Sequence, residues 1–559
     1  MCGIFGYICS RPGDINLDSN LLTNLVAMGN ENRHRGPDCC NIREVKDEKY
    51  YICAQFHRLS IVGIEKGDQP FISKCGGVWA MVNGEIYNYR DLQTSYNLEM
   101  QTTSDCEVII RLYEKYGIEK TINLLDGVWA FVIYDMNRGM VHFARDIWGV
   151  RPLHYATGIN DTSKLPTGIR DVAVSSTAKC LNGYNYEWVE PRKIYTLKTR
   201  GDGLFDLSIT PYVDFKYRNI SDSDKVIGSS QYQGMLNNGD NIPYLFKEAV
   251  RKRIQKTERP VGFFLSGGLD SSLTLAVAME IRRESLDLTP IDVFSIGTKG
   301  SSPDLSASQS IVSYLKNKYG EHSIIHHIVD FRDWNYDTLD ELIYNIETPD
   351  VTTIRASMPM YLLSRYVRDN TKVKIIISGE GSDELFGGYL YFKNAPSDVE
   401  FEKESRRLLL DLYKFDVLRC DRSVSVCGLE VRVPFLDRDF STYVLDTETH
   451  MKMSHFTNST PHGIGKYLLR KSFEGVLPDD ILWRIKDGMS DGVGNKFQRW
   501  VKEYAMDWYC DYDNSPIEVE KKLYREIYNS YYSRDLIKYQ WMPKWVDSDI
   551  DDPSGTLLM

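Results

Sequence analysis

The stretch that decides the fold is Val261–Ser272, VGFFLSGGLDSS. Val261, Gly262, Phe263, Phe264 and Leu265 form an apolar run without polar alternation, which predicts a strand buried on both faces. The run breaks into Ser266-Gly267-Gly268-Leu269-Asp270-Ser271-Ser272, after which Leu273–Arg283 carries apolar residues at helical spacing. A strand, a glycine turn and a hydroxyl-rich helix N-terminus together make an anion site. Backbone N–H groups point outward, the helix dipole favours negative charge, and glycines let a phosphate approach the backbone closely. No lysine follows, so the turn is not G-x-x-x-x-G-K-[ST], and it does not fit G-x-G-x-x-G. An ordinary strand–turn–helix connection capped by serine is the plainer alternative for these residues alone.

Outward from this stretch the chain has a βα rhythm. A helical pattern over Tyr244–Lys256 precedes it; Ile291–Ile296, Ile324–Val329 and Val373–Ser378 read as strands, and Met358–Arg368 as a helix. Such alternation predicts a parallel sheet with helices on both faces. Val373–Ser378 runs into a second glycine-rich turn, Gly379-Glu380-Gly381-Ser382-Asp383-Glu384-Leu385-Phe386-Gly387-Gly388. Two such turns at the carboxyl ends of neighbouring strands are where a nucleotide binds in an open α/β sheet. The first turn resembles the SGG-x-DS loop of ATP pyrophosphatases, enzymes that bind ATP, activate a carboxylate or amide as an adenylate and release pyrophosphate. Acidic groups facing a triphosphate repel it unless a divalent cation lies between. Asp270 and Asp383 are therefore the Mg²⁺ ligand candidates, with helix capping as the alternative for Asp383.

Residues 2–200 read differently, as short β runs: Gly3–Ile8, Tyr50–Gln55, Val78–Val82, Val128–Tyr134, Met140–Arg145 and Val172–Ser175. They predict antiparallel sheets packed face to face, flanked by helices at Leu21–Met28 and Glu107–Tyr116, the latter with cap candidates in Thr103-Ser104-Asp105. Removal of Met1 would leave Cys2 with its own α-amino group, of pKa near ~8, beside the thiol as a base. Cys2-Gly3-Ile4-Phe5-Gly6 is followed by Arg33-His34-Arg35-Gly36-Pro37-Asp38 and His57-Arg58-Leu59-Ser60-Ile61. Asn83-Gly84-Glu85-Ile86-Tyr87-Asn88 and Ser104-Asp105-Cys106-Glu107 come next. In this order the five blocks resemble the class II glutamine amidotransferase domain, which hydrolyses glutamine through an N-terminal cysteine and hands on the ammonia. The resemblance implies Cys2 as nucleophile and an oxyanion hole from the Asn83 side chain and the Gly84 N–H. It also implies Arg58 on the glutamine carboxylate as a planar fork, and Asp105, helped by Glu85, on its ammonium. Singly, Asn83-Gly84 is also a hairpin-turn signal, and Arg58 or Asp105 could be solvated charges. Ser176 stands where that family commonly has glutamate.

Further blocks join the two halves. Ser302-Pro303-Asp304-Leu305, Glu347–Ser357, Cys427–Asp437, Gly465-Lys466, Ser490–Gly494 and Asp552-Pro553-Ser554-Gly555 resemble glutamine-hydrolysing asparagine synthetases of the B type, over nearly the whole chain. The resemblance implies L-aspartate, L-glutamine and ATP as substrates, with ammonia passed between domains. It places Leu265, Ser266, Gly267, Gly268, Asp270, Ser271, Ile296, Ser378 and Gly379 around ATP, and Lys466 on its phosphates. Glu380 would take a proton as ammonia attacks, and Thr352, Thr353 and Arg355 would contact aspartate. The implied domains are a glutaminase over 2–200, a connecting segment over 201–240 and a synthetase over 241–559. The connecting segment is expected to hold one or two strands and a flexible part. Residues 440–550 read as helical packing against the synthetase sheet, and the glycines of Lys486–Gly494 as a mobile flap. Other class II amidotransferases lack SGG-x-DS, and a β-lactam-forming synthetase has a degenerate glutaminase. A non-catalytic binding protein of this fold would not need both sets of motifs.

Composition sets the bounds. Length alone suggests three or four domains, reduced to two if one is a long α/β domain. Hydrophobic residues make up 42% and aromatics 12%, ample for large cores. A net charge of −11 and no long basic run argue against nucleic acid as a partner. Eleven cysteines without paired C-x-x-C spacing indicate neither a disulfide scaffold nor a zinc site. The first residues lack a basic leader, and no run approaches a membrane span. The expectation is a cytoplasmic protein without a membrane partner, and a homodimer is left open.

Overall fold

The structure is a computed structural model. It describes residues 1–10, 19–159, 168–213, 241–298, 300, 302–332, 334–453, 455–457, 460–484, 496–510, 514–537 and 541–546. The chain divides into two compact units, one of Met1–Lys216 with Ser425–Leu429 and Tyr532–Leu536, the other of Tyr217–Val424, Glu430–Tyr531 and Ile537–Met559.

The strands of the first unit are β1 (Gly3–Ser10), β2 (Cys39–Lys46), β3 (Tyr50–Arg58), β4 (Phe71–Ile72), β5 (Val78–Ile86), β6 (Gly127–Asp135), β7 (Met140–Arg145), β8 (His154–Thr157), β9 (Asp171–Ser175), β10 (Tyr186–Trp188), β11 (Lys193–Thr199) and β12 (Phe205–Pro211). They form two six-stranded sheets, β10-β8-β9-β1-β3-β2 and β12-β11-β7-β6-β5-β4. Ile4, Ile8, Phe56, Met81, Val132 and Phe143 fill the space between the sheets. The outer faces are covered as well. Leu21 and Leu25 of the helix Ser19–Asn30 cluster with Phe5, Tyr7 and Tyr51, and Val108, Ile109 and Leu112 of the helix Val108–Tyr116 cluster with Val82 and Phe131. Four layers follow, and they explain why β1, β3 and most of β5 are buried along their whole length instead of alternating as a half-exposed strand does. Ser104 caps a short 3₁₀ turn, Asp105–Glu107, that leads into the second helix. The stretch expected to begin a connecting segment at residue 201 contains β12, which is the edge strand of the second sheet.

The second unit is built on a five-stranded parallel sheet of β13 (Val261–Phe264), β14 (Ile291–Gly297), β15 (Ile324–Asp330), β16 (Ile375–Ile377) and β17 (Glu430–Arg432). Its order is β15-β14-β13-β16-β17. The parallel sheet expected from the βα rhythm is therefore present, with β13 at its centre. The helix after β13 spans Leu269–Glu284, beginning before the apolar periodicity does. Another helix runs from Val351 to Asn370 through Pro359, not from Met358. An interior proline forfeits one hydrogen bond and normally ends a helix. Here Asp350 caps the N-terminus, its carboxylate accepting from Thr353 N at 2.9 Å, and thirteen of the residues from Val351 through Val367 besides Pro359 are buried. Helices continue through the C-terminal region, as expected, and a small antiparallel pair, His455–Thr457 with Thr460–Ile464, interrupts them. Residues 485–495, which contain the whole of the expected flap, and the Asp552–Gly555 block lie outside the described residues.

Candidate active sites

In the first unit, Cys2 stands at the head of β1 and Asn83 lies inside β5, paired with Ala130 rather than in a turn. The Cys2 backbone nitrogen donates to Asn83 Oδ1 at 2.8 Å. That nitrogen belongs to the Met1–Cys2 peptide here and would be the α-amino nitrogen once Met1 is removed. Since an N–H can only donate, the amide oxygen must face it. The Asn83 Nδ2 is thereby left buried and without a partner. An unpaired buried donor costs about 1–3 kcal/mol, and it is the arrangement an oxyanion hole needs: a fixed N–H aimed where charge will develop. Gly84 is demanded by close approach of β6, because a Cβ there would sit 2.2 Å from the Val128 carbonyl oxygen. The Cys2 sulfur accepts from Leu59 N at 3.4 Å, and Arg35 Nε donates to the Cys2 carbonyl at 3.0 Å.

Arg58 donates to Gly63 O at 2.5 Å, Ile64 O at 3.1 Å and Asp68 Oδ1 at 2.9 Å. Asp105 Oδ2 accepts from Ile86 N at 2.7 Å, which ties it to the strand carrying Asn83, Gly84 and Glu85. Ser176 is buried, and its hydroxyl accepts from Ile4 N at 3.0 Å. His57, although in a motif block, serves the frame: its Nε2 meets Gly29 O at 3.1 Å, and burial pushes its pKa below the usual value.

In the second unit the two glycine turns meet. A Cβ on Gly379 would lie 2.9 Å from Asp270 Cβ, and Ser382 Oγ donates to Asp270 Oδ1 at 2.8 Å. Lys466 Nζ then bridges Asp270 Oδ2 and Asp383 Oδ1, at 2.7 Å from each. Burial alone would push the lysine pKa down, but the two carboxylates outweigh it and hold the ammonium above its ordinary value. Gly388 closes the cluster, since a Cβ there would come 2.1 Å from both Asp383 Oδ1 and Lys466 Cε. Asp383 does not cap its helix; Gly381, at φ +93°, occupies that position.

Within the first turn Ser266 Oγ and Ser271 Oγ lie 3.2 Å apart, and Ser266 Oγ accepts from Gly268 N at 3.3 Å. Leu265 is anchored to β14 through Leu265 N to Phe294 O at 2.9 Å. Ile296 lies on β14, and Ser378 N bonds Arg432 O of β17 at 3.0 Å. Glu380 Oε2 accepts from Arg419 Nη2 at 2.6 Å, and Arg419 is held by Asp416 at 2.9 Å. The aspartate candidates share the start of one helix, each already engaged. The hydroxyls of Thr352 and Thr353 donate to Asp350 at 2.6 and 2.7 Å. Arg355 forms a buried two-pronged pair with Glu520, at 2.8 and 2.5 Å. Arg35, Ser382, Arg419 and Glu520 were not assigned roles from sequence. Arg35 and Ser382 stand inside motif blocks, but each of the four acts on a residue distant in the chain, so no local spacing names its partner.

The first unit presents a cysteine at the first strand of its sandwich, and the second presents two glycine turns at the carboxyl edge of its parallel sheet. A family model described as a glutamine amidotransferase domain matches residues 1–188, and one described as asparagine synthase matches residues 241–408 and 393–546. The "Asparagine synthetase [glutamine-hydrolyzing]" of Mus musculus is 38% identical over 559 residues, and that of Homo sapiens 37% over 560, each alignment covering 94% of both chains. Among solved structures, an NH3-dependent NAD synthetase from Campylobacter jejuni aligns over 31% of this chain and 76% of that chain at 19% identity, with a TM-score of 0.19, too low to bear on the fold. The chain belongs to the glutamine-hydrolysing asparagine synthetase family.

Proposed function

We propose that the protein makes L-asparagine from L-aspartate, ATP and L-glutamine, through β-aspartyl-AMP, releasing AMP, pyrophosphate and glutamate. The glutaminase is assigned to residues 2–200 and the synthetase to 241–559. At the first site the α-amino group freed by loss of Met1 takes the thiol proton of Cys2. Asn83 Oδ1 accepts one of the amine hydrogens and so leaves the nitrogen lone pair for that proton. The sulfur attacks the glutamine side-chain carbonyl, and Asn83 Nδ2 with the Gly84 N–H receives the oxyanion. Arg58 and Asp105, with Glu85, hold the carboxylate and ammonium of the substrate. The α-ammonium returns the proton to the amide nitrogen, which leaves as ammonia, and water resolves the thioester to glutamate and the free thiol.

At the second site the aspartate β-carboxylate attacks the α-phosphorus and pyrophosphate leaves. Ser266, Gly267, Gly268 and Ser271 receive the phosphates; Leu265, Ile296, Ser378 and Gly379 enclose the adenylate, and Lys466 offsets charge on the phosphates. Glu380 takes a proton as ammonia displaces AMP, and Thr352, Thr353 and Arg355 define the aspartate end. Among the described residues no group of three or more His, Cys, Asp or Glu side chains is placed to hold a metal by itself. Asp270 and Asp383, drawn together on the Lys466 ammonium, are a pair of carboxylates that suits Mg²⁺, which prefers one or two protein carboxylates plus substrate phosphates. Asp270 and Asp383 would hold it, and it would neutralise the triphosphate and polarise the leaving pyrophosphate. The reading places the enzyme in the cytoplasm; among the described residues no helix is long and apolar enough to cross a membrane.

The observation that carries the reading is the convergence of Asp270 and Asp383 from two glycine turns onto the Lys466 ammonium. The test is pyrophosphate release with ATP, glutamine and each of a panel of acceptor amino acids. Release with aspartate alone, matched by asparagine formation, is expected; release with a different acceptor would replace the reading.

A further inference from the structure

The first glycine turn is held from outside by a residue belonging to neither turn. Arg484, just beyond the short helix Asp479–Leu482, donates Nη1 to the Gly267 carbonyl at 3.2 Å and Nη2 to Asp304 Oδ1 at 2.9 Å. Asp304 lies in the first turn of the helix Pro303–Tyr319 and is buried. Gly267, at φ +76°, is already pressed onto that same turn. A Cβ there would stand 2.5 Å from Ser308 N and 2.7 Å from both Ala307 Cβ and the Asp304 carbonyl oxygen. The guanidinium therefore closes a bracket, with helix backbone on one side of Gly267 and a charged fork on its carbonyl.

The direction of that carbonyl matters. In a trans peptide the C=O and the N–H of one unit point opposite ways. Holding Gly267 C=O toward Arg484 turns the Gly268 N–H to the other side, where Ser266 Oγ lies 3.3 Å from it. Gly268 is also the N-cap of the helix Leu269–Glu284, which has no side-chain cap, so the N–H groups that follow it are the ones a phosphate would satisfy.

We propose that Arg484 is a positioning residue for ATP. Without touching the nucleotide, it fixes the Gly267–Gly268 peptide so that the turn's N–H groups converge on the triphosphate. The inference rests on the ATP reading above. Arginine suits the task because its planar fork reaches a carbonyl and a carboxylate together, whereas a lysine ammonium is a single point charge.

The test compares Arg484→Gln and Arg484→Lys with the unmutated full chain, measuring ATP binding by calorimetry in the presence of Mg²⁺, steady-state kinetics and thermal unfolding. Loss of a charged hydrogen bond that orders the site is expected to weaken ATP binding roughly ten- to a hundred-fold in Arg484→Gln, with partial recovery in Arg484→Lys. The KM for aspartate and glutamine hydrolysis without ATP should stay unchanged. A role confined to stability would lower the unfolding temperature and leave the ATP dissociation constant at the wild-type value; that result overturns the proposal, as does an equal rise in KM for aspartate. If the unmutated protein itself bound no ATP, the ATP reading would fall first, and the inference with it.

Discussion

Replacing Asn83 by aspartate changes almost nothing in shape and one thing in chemistry. The side chain is fully buried, with Oδ1 accepting from the Cys2 nitrogen at 2.8 Å and Nδ2 without a partner. In Asn83→Asp an oxygen still faces that nitrogen, while the free donor becomes an acceptor. Removing one oxyanion donor from a water-excluded site costs about 2.7–4 kcal/mol, or roughly 10²–10³ in kcat, and a carboxylate facing the nascent charge can only add to that. The ground-state amide does not depend on this N–H, so the KM for glutamine should change little. Asn83→Ala, which deletes the donor without adding a charge, should also lose roughly 10²–10³ in kcat. The assay is glutamate release without ATP or aspartate, with ammonia-dependent asparagine formation as the control that the second unit is intact. A fall of less than about tenfold in both variants, with Cys2→Ala inactive in the same assay, would refute the oxyanion assignment.

Cys2→Ala should abolish glutamine-dependent synthesis and leave ammonia-dependent synthesis in place, measured as asparagine formed from each nitrogen source. Asp270→Asn or Asp383→Asn should nearly eliminate pyrophosphate release with either source while ATP-free glutaminase survives; near-normal synthesis at limiting Mg²⁺ would dissolve the proposed metal site. Buried His142 has its pKa pushed from 6.5 to about 4, chiefly by desolvation, with nearby Asp135 pulling the other way. As pH falls, the unfolded chain binds this proton first, so stability is full above about pH 6.5 and is lost toward pH 4, by about 3 kcal/mol at most. His142→Phe should flatten the acid limb of a melting-temperature profile relative to wild type; parallel profiles would show that this group is not responsible.

The parts of the fold written in local periodicity were legible. The run at Val261–Phe264 became the central strand, and the short β runs before residue 200 became the sandwich. Where one residue carries two meanings, the reading went astray or stayed open. The helix expected over Met358–Arg368 starts earlier, at Val351, because Asp350 caps it there and packing carries it through Pro359. Asn83-Gly84 reads equally as a hairpin turn, and only its pairing with Ala130 and Trp129 of β6 places it in a strand. Cys2 meets Asn83 in the first unit, and Asp270, Asp383 and Lys466 meet in the second, but the partners of other candidate residues were invisible in the sequence. Glu520 meets Arg355, Arg419 meets Glu380 and Arg484 meets Gly267 across long stretches of chain. A pairing made by tertiary packing leaves no spacing rule to read.

The strand order of the parallel sheet also bears on folding. β13 pairs on one side with β14, which follows it closely, and on the other with β16, in the register Gly262↔Ile376. The first turn can therefore form early with its local neighbours, but the second reaches it only after a long loop has closed, a step whose entropy must be met before its contacts repay it. Asp270 comes with the first event and Asp383 with the second. A nascent or truncated chain ending before β16 would carry Asp270 and its glycine turn without Asp383. On the proposed reading, in which both carboxylates serve ATP, cleavage waits until the whole unit has folded.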